Sequence, residues 1–199
     1  MKCNMFPIMI PLALGATMAA PAAATEIDAL GVYFDSQVYQ NALCGVEANV
    51  QIPVYIILVD AAAPVKGLEF SYSIANATAT VLRLVTTTAL PRYTVEDNDP
   101  LDGSYHLMAE TPLPASSAMV LVQWTLMFTA FDENGVYYLR GVDDPSLPGD
   151  YPVVDGGPGY GLRRVGVSSG HLDAPVAFNG CSPLAVDVTS FGGVKSLFR

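Results

Sequence analysis

Val46-Glu47-Ala48-Asn49-Val50-Gln51-Ile52-Pro53-Val54-Tyr55-Ile56-Ile57-Leu58 sets an apolar side chain at every even position and, as far as Tyr55, a polar or ring-bearing one at every odd position. A period of two is the pattern of a strand with one face buried. Beyond the turn formers Ala63-Pro64-Val65-Lys66-Gly67, the pattern resumes with Leu68, Phe70, Tyr72 and Ile74. It returns most strongly in Val120, Val122, Trp124, Leu126 and Phe128, the most apolar run and the predicted central strand. Trp124 is in phase with Val122 and Leu126, which puts it in the core.

Weaker strands are predicted at 30–34, 81–87, 105–110, 136–142, 161–167, 176–178 and 184–188. Asp132-Glu133-Asn134-Gly135 lies between two such runs as a hairpin connection should. No stretch of ten or more residues repeats at 3.6. About nine or ten short strands punctuated by Gly, Pro and Asp predict an all-β antiparallel β-sandwich, Ig-like or jelly-roll. Residues 141–161, with six Gly, four Pro and four acids, read as a long surface loop stiffened by proline.

The chain has 199 residues, 51% hydrophobic and only 14% charged, with a net charge of -10. That length suits one domain. Disorder needs low hydrophobicity and high charge, so it is excluded for most of the chain. The acidic balance argues against nucleic acid or an anionic membrane as partner, since both recruit Lys and Arg.

Residues 1–24 read as a secretory signal peptide. Lys2 is followed by an uncharged stretch and by Ala22-Ala23-Ala24, with cleavage expected before Thr25. Pro7 and Pro11 make the segment a poor spanning helix, the alternative use of so long an uncharged run. Cleavage would leave a single sandwich domain over 25–190, a C-terminal tail over 191–199 and no membrane span. It would also leave two cysteines, Cys44 and Cys181. In an oxidising compartment an even pair reads as a disulfide, against the alternative of two buried thiols.

Chemistry-bearing patterns are few. Gly166-Val167-Ser168-Ser169-Gly170, with His171 and Asp173 close behind, matches the G-x-S-x-G nucleophile pattern. That chemistry requires a strand-to-helix turn and a later histidine, and neither follows, so serine hydrolysis at Ser168 is a distant alternative to a Ser/Gly turn. Residues 156–161 lack the strand–helix setting of a phosphate loop. Asp97, Asp99 and Asp102 before Gly103 miss the EF-hand spacing by one residue. They leave open a different calcium loop, shared with Asp143, Asp144 or Asp150, beside the reading of solvated turn acids. Otherwise no cofactor is expected. His106 lies in a strand pattern as a structural residue, and no Cys or His pair has zinc spacing. Tyr137 and Tyr138 are adjacent, so one faces outward. Tyr138, Tyr151 and Tyr160 are the candidates for exposed ligand contacts, carbohydrate included, beside the plainer reading of ordinary β-sheet tyrosines.

Two resemblances follow. Ile52-Pro53-Val54, the turn, and Val65-Lys66-Gly67-Leu68-Glu69-Phe70 resemble the opening of cohesin-type modules. The resemblance implies a jelly-roll-like sandwich. Ser73-Ile74-Ala75-Asn76 departs from that family's usual tyrosine–aspartate ending, so dockerin recognition does not carry over. The ends, Gly31-Val32-Tyr33-Phe34-Asp35, Asn179-Gly180-Cys181 and the tail from Phe191 to Arg199, resemble a group of secreted bacterial proteins without an assigned activity. In the tail, Phe191, Lys195, Phe198 and Arg199 form an apolar–basic peptide, either a sorting or docking segment or a final element packed on the sandwich.

The expectation is therefore a secreted, periplasmic or extracellular, non-catalytic binding or structural protein of the envelope or matrix. Its partner would be a protein or a polysaccharide, with a carbohydrate-binding module as the alternative.

Overall fold

The structure is a computed structural model and describes residues 28–38, 40–96 and 99–180. Its strands, in chain order, are β1 (Ala29–Tyr33), β2 (Ala42–Leu43), β3 (Gln51–Val59), β4 (Val65–Ala75), β5 (Val81–Thr88), β6 (Arg92–Glu96) and β7 (Asp102–Leu113). There follow β8 (Ala118–Phe128), β9 (Val136–Arg140), β10 (Val153–Asp155), β11 (Leu162–Arg164), β12 (Gly166–Val167) and β13 (Ala177–Asn179). Five form one sheet in the order β12-β1-β3-β8-β5, hereafter sheet A. The other eight form sheet B, in which β4 has β7, then β6, on one side and β10 and β9 on the other.

The β-sandwich predicted from alternation is thus the fold, with more strands than the nine or ten expected. Most pairings are antiparallel; β1–β12 and β2–β13 are parallel, which makes both sheets mixed. The inward residues of β3, β4 and β8 interdigitate in one core, with Val54, Ile56, Phe70, Leu126 and Phe128 sealed from solvent. Trp124, as its phase required, is buried. Its indole N–H donates to the Tyr105 hydroxyl (2.9 Å), which satisfies the one polar atom it carries into the core. Tyr72 packs on Trp124 at 4.7 Å between ring centroids. Arg83 closes this cluster from β5, donating to the hydroxyls of Tyr72 (2.5 Å) and Tyr105 (3.2 Å). Burial pushes the Tyr72 phenol up to about 12, against the lowering effect of Arg83.

Several expectations are corrected. The single strand expected over 161–167 divides at Val165 into β11 of sheet B and β12 of sheet A, and the strand expected at 184–188 lies outside the described residues. The strand anticipated from Val46 starts only at Gln51, because Asn49 adopts φ 60° and turns the chain. Its N–H donates to the Phe128 carbonyl, and Val46 makes only an isolated bridge to Asp132. Residues 141–161 are not wholly loop: Val153–Asp155 forms β10 and pairs with Glu69, Leu68 and Gly67 of β4.

Two polar clasps hold the ends of the sandwich. Asp132, fully buried, accepts from the Thr78 N–H (2.8 Å) and hydroxyl (3.0 Å), the Gly135 N–H (3.0 Å) and the Asn179 amide (2.8 Å). It thereby ties the β4–β5 connection, the β8–β9 connection and β13 together. The β8–β9 connection crosses from sheet A to sheet B, so Asp132-Glu133-Asn134-Gly135 is not the hairpin turn expected from the sequence. Asn179 accepts in turn from the Tyr137 hydroxyl (3.2 Å). Burial works to raise the Asp132 pKa, yet the bonds from Asn179, Thr78 and Gly135 outweigh it and hold the carboxyl below its usual range. At the second clasp Arg163 pairs with the buried Asp28 (2.5 Å) and also donates to the carbonyls of Ala63 and Pro64.

Candidate functional site

The pleat divides β4 cleanly. Leu68, Phe70, Tyr72 and Ile74 face the core, so Gly67, Glu69, Ser71 and Ser73 face outward. Register then assembles the outer face of sheet B. Met108 lies beside Gly67, His106 beside Glu69 and Asp102 beside Ser73 on β7. On the other side Asp155 lies beside Gly67, and Tyr138 and Arg140 beside Ser73 and Ser71. Leu162 of β11 is opposite Asp155.

Gly67 has no side chain, and a Cβ there would stand 3.2 Å from the Leu107 carbonyl. Its absence lowers the floor of a shallow cleft of ≈ 250 Å³ between Met108 and Leu162. Both walls are unusually open for apolar residues, at 52% and 47% exposure. The rim is polar. Glu69 accepts from the Ser146 N–H (2.6 Å) and hydroxyl (2.8 Å), which pins the proline-rich 141–150 segment onto the sheet. The Ser71 hydroxyl donates to the Gly141 carbonyl (2.7 Å) and fixes the start of that segment. His106 stands 3.9 Å from Glu69 on the other flank. An apolar floor with a few oriented polar groups at its edge is the make-up of a recognition surface.

The sequence candidates distribute unevenly. Tyr138 lines a polar cleft on this same face with Asp102 and Arg140. Its neighbour Tyr137 is buried, so Tyr138 is the one of the adjacent pair that faces outward. Tyr151 and Tyr160 are exposed, but they stand in the segments flanking β10. Asp99 and Asp102 use their carboxylates to accept from the Leu101 and Gly103 N–H groups, both at 2.8 Å. Their backbone carbonyls accept from the Tyr72 hydroxyl. Asp97 lies outside the described residues, among which no three potential metal ligands cluster.

Ser168 follows β12, no helix comes after it among the described residues, and its hydroxyl is buried against Gly31. His171 is exposed, and its Nδ1 accepts from the Asp173 N–H (3.3 Å). The nucleophile and base are therefore not presented to one another as a relay requires. Cys44 is exposed; Cys181, and with it the expected disulfide, lies outside the described residues, as do the signal segment, Phe191, Lys195, Phe198 and Arg199.

Sequence reading missed the cleft itself. Glu69, His106, Met108 and Leu162 come from three strands, and nothing local signals their meeting. The phase of β4 already set Gly67 and Glu69 on the face opposite Leu68 and Phe70, but only register supplies the neighbours.

No protein-family model and no curated protein matches the chain. Solved structures do. A type II cohesin domain from the cellulosome of Acetivibrio cellulolyticus is similar over 77% of this chain and 95% of its own length, at 10% identity and a TM-score of 0.53. A cohesin module from a Clostridium perfringens family 33 glycoside hydrolase is similar over 71% of this chain and 93% of its own, at 11% identity and a TM-score of 0.47. At 10% identity the likeness to the type II cohesin domain is one of fold, and it agrees with the resemblance carried by Ile52–Val54 and Val65–Phe70: the chain folds as a cohesin-like β-sandwich.

Proposed function

We propose that this protein is a secreted, non-catalytic binding module that takes a protein partner on the outer face of sheet B. The observation that carries the reading is the cleft over Gly67, where Met108 and Leu162 stand exposed beside Glu69, His106 and Asp155. Burying two such side chains, each in its own recess, is how a small interface concentrates its affinity. The polar rim supplies orientation rather than strength. The cohesin-like fold is compatible with this use, although fold by itself carries no function. Export rests on residues 1–24, and among the described residues no helix is long and apolar enough to cross a membrane. The apolar–basic tail from Phe191 to Arg199 would serve such a protein as a sorting or docking segment.

A photoreactive side chain placed at position 108, and separately at the exposed position 47, tests the reading in the extracellular fraction of the source cells. The expected result is a protein adduct from position 108 alone. That protein, once identified and purified, should lose about tenfold or more in affinity for the Met108→Lys variant. Equal adducts from both positions, none from position 108, or an affinity unmoved by Met108→Lys would overturn it.

A further inference from the structure

The two outer faces of the sandwich differ in charge. Sheet B carries Glu69, His106, Arg140, Asp155 and Arg164 on or beside its strands. In β1, β3, β5 and β8, the four long or central strands of sheet A, the sole charged residue is Arg83. Arg83 points inward, onto Tyr72 and Trp124. The outer face of sheet A is therefore free of charge in a chain whose net charge is -10.

Register arranges that face in level rows. Tyr55, Gln123 and Thr87 lie side by side on β3, β8 and β5, and Pro53, Thr125 and Val85 form the next row. Strands stand about 4.8 Å apart, and successive outward positions along a strand are about 6.7 Å apart. Backbone donors and acceptors within the sheet are consumed by the ladder, so recognition falls to the side chains. They offer the Tyr55 ring, the flat Pro53 pyrrolidine and, along β5, the exposed aliphatic side chains of Leu82, Leu84 and Val85, next to an amide and two hydroxyls that both donate and accept.

We infer that this face is a second binding site, separate from the proposed protein-binding cleft, and that its ligand is an uncharged oligosaccharide. Absence of charge removes any partner for phosphate, sulfate or carboxylate groups. Sugar rings present apolar C–H faces together with hydroxyls, and each row sets apolar side chains (Tyr55, or Pro53 and Val85) beside amide or hydroxyl groups (Gln123 and Thr87, or Thr125). A second copy of the chain fits less well. Three strands by three outward positions cover about 300 Å², against about 800 Å² per partner in a stable protein interface. Strand addition at the β5 edge is opposed as well. That strand carries a bulge between Arg83 and Val85 and an inward-pointing charge, two devices by which edges resist pairing.

Titration calorimetry with cellohexaose, xylohexaose and mannohexaose tests the site. Saturable binding of at least one glycan is expected. Tyr55→Ala should weaken it about tenfold or more, and Thr125→Lys, which sets a charge and a long side chain at the centre of the face without touching the core, should abolish it. Glu47→Gln should leave it unchanged, and thermal unfolding verifies that each variant is folded. No binding to any of the three glycans would overturn the inference, as would binding that survives both substitutions. Binding lost on Tyr151→Ala or Tyr160→Ala instead would move the glycan to the loops. A concentration-dependent dimer dissolved by Thr125→Lys would make a second copy the occupant. Because the two faces share no residue, failure here leaves the protein-binding cleft untouched.

Discussion

Replacing Asp132 by alanine removes one carboxylate that four donors share, and its cost can be worked from the geometry. The group is fully buried, and the donors stand 2.8–3.0 Å away on three separate segments, 78, 135 and 179. Hydrogen bonds to a charged acceptor contribute about 1.5–3 kcal/mol each, while burying the charge cancels part of their sum. What alanine leaves behind decides the balance: the Gly135 N–H and the Asn179 amide are buried and lose their acceptor. A loss of about 3–5 kcal/mol is expected, a large fraction of the 5–15 kcal/mol that holds a domain together. Asp132→Asn should cost less, since one oxygen still accepts, but its amide would face other donors. The pH dependence distinguishes the carboxylate from simple packing. The folded state holds this carboxyl below its usual range, so it binds the proton less readily than the unfolded chain does. Its stabilisation is complete above about pH 4 and drains away as pH falls through the folded-state pKa. Urea unfolding of wild type and Asp132→Ala from pH 7 down to pH 3 should show a gap that narrows with acidity. A gap under about 1 kcal/mol at pH 7, or one constant with pH, would refute the reasoning.

Three further outcomes can be checked. Leu43 and Asn179 are partners in the parallel β2–β13 pairing, and Cys44 and Cys181 follow them by one and two residues, within about 7 Å of chain. The proposed disulfide would close a loop worth about 5 kcal/mol in the chain-entropy model; denatured, unreduced protein from an oxidising compartment should show neither thiol free, and two free thiols would refute the bond. Arg163→Ala strands the buried Asp28 carboxylate and should cost about 3–5 kcal/mol, with the double variant Asp28→Ala/Arg163→Ala falling well short of the sum of the singles; additive losses in denaturant titration would deny the coupling. Gly31→Ala sets a Cβ 2.6 Å from a Tyr33 ring carbon and 2.7 Å from the Ser168 hydroxyl, so a loss of about 1–3 kcal/mol is expected, partly restored by Ser168→Gly.

Alternation made the sandwich legible because burial on one face is the strongest constraint a strand carries. It named the cores of β3 and β4, the inward phase of Trp124 and the core of β8 from Val122 to Phe128, but beyond the β3–β8 bulge it is Met119 and Leu121, not Val120, that are buried. It is blind to backbone turns whose residues keep the phase, and so it ran the strand back to Val46 through an Asn49 that leaves the β region. It is equally blind to strands too short to show a period. Val153–Asp155 is three residues among glycines and prolines, and Arg92–Glu96 carries charge at both ends. Asp132 looked like one more turn acid. Its role appears only when residues 78 and 179 arrive, 54 and 47 positions away, which no local pattern announces.

The same limit explains why both candidate sites escaped sequence reading while their ingredients were visible in it. A sheet face is assembled by register, every second residue from each of several strands, so its character is a property of rows rather than of runs. In sheet B the rows gather charge around an apolar gap left by Gly67. In sheet A they exclude charge altogether, although the burial of a sandwich core demands neutrality only of the inward positions. Outward residues such as Gln51, Thr87 and Thr125 are free to be Lys or Glu as far as folding is concerned, and charge there would guard against association. Neutral polar side chains in those places give up that protection without adding to the core. That cost is what distinguishes a surface kept for a ligand from one left to solvent.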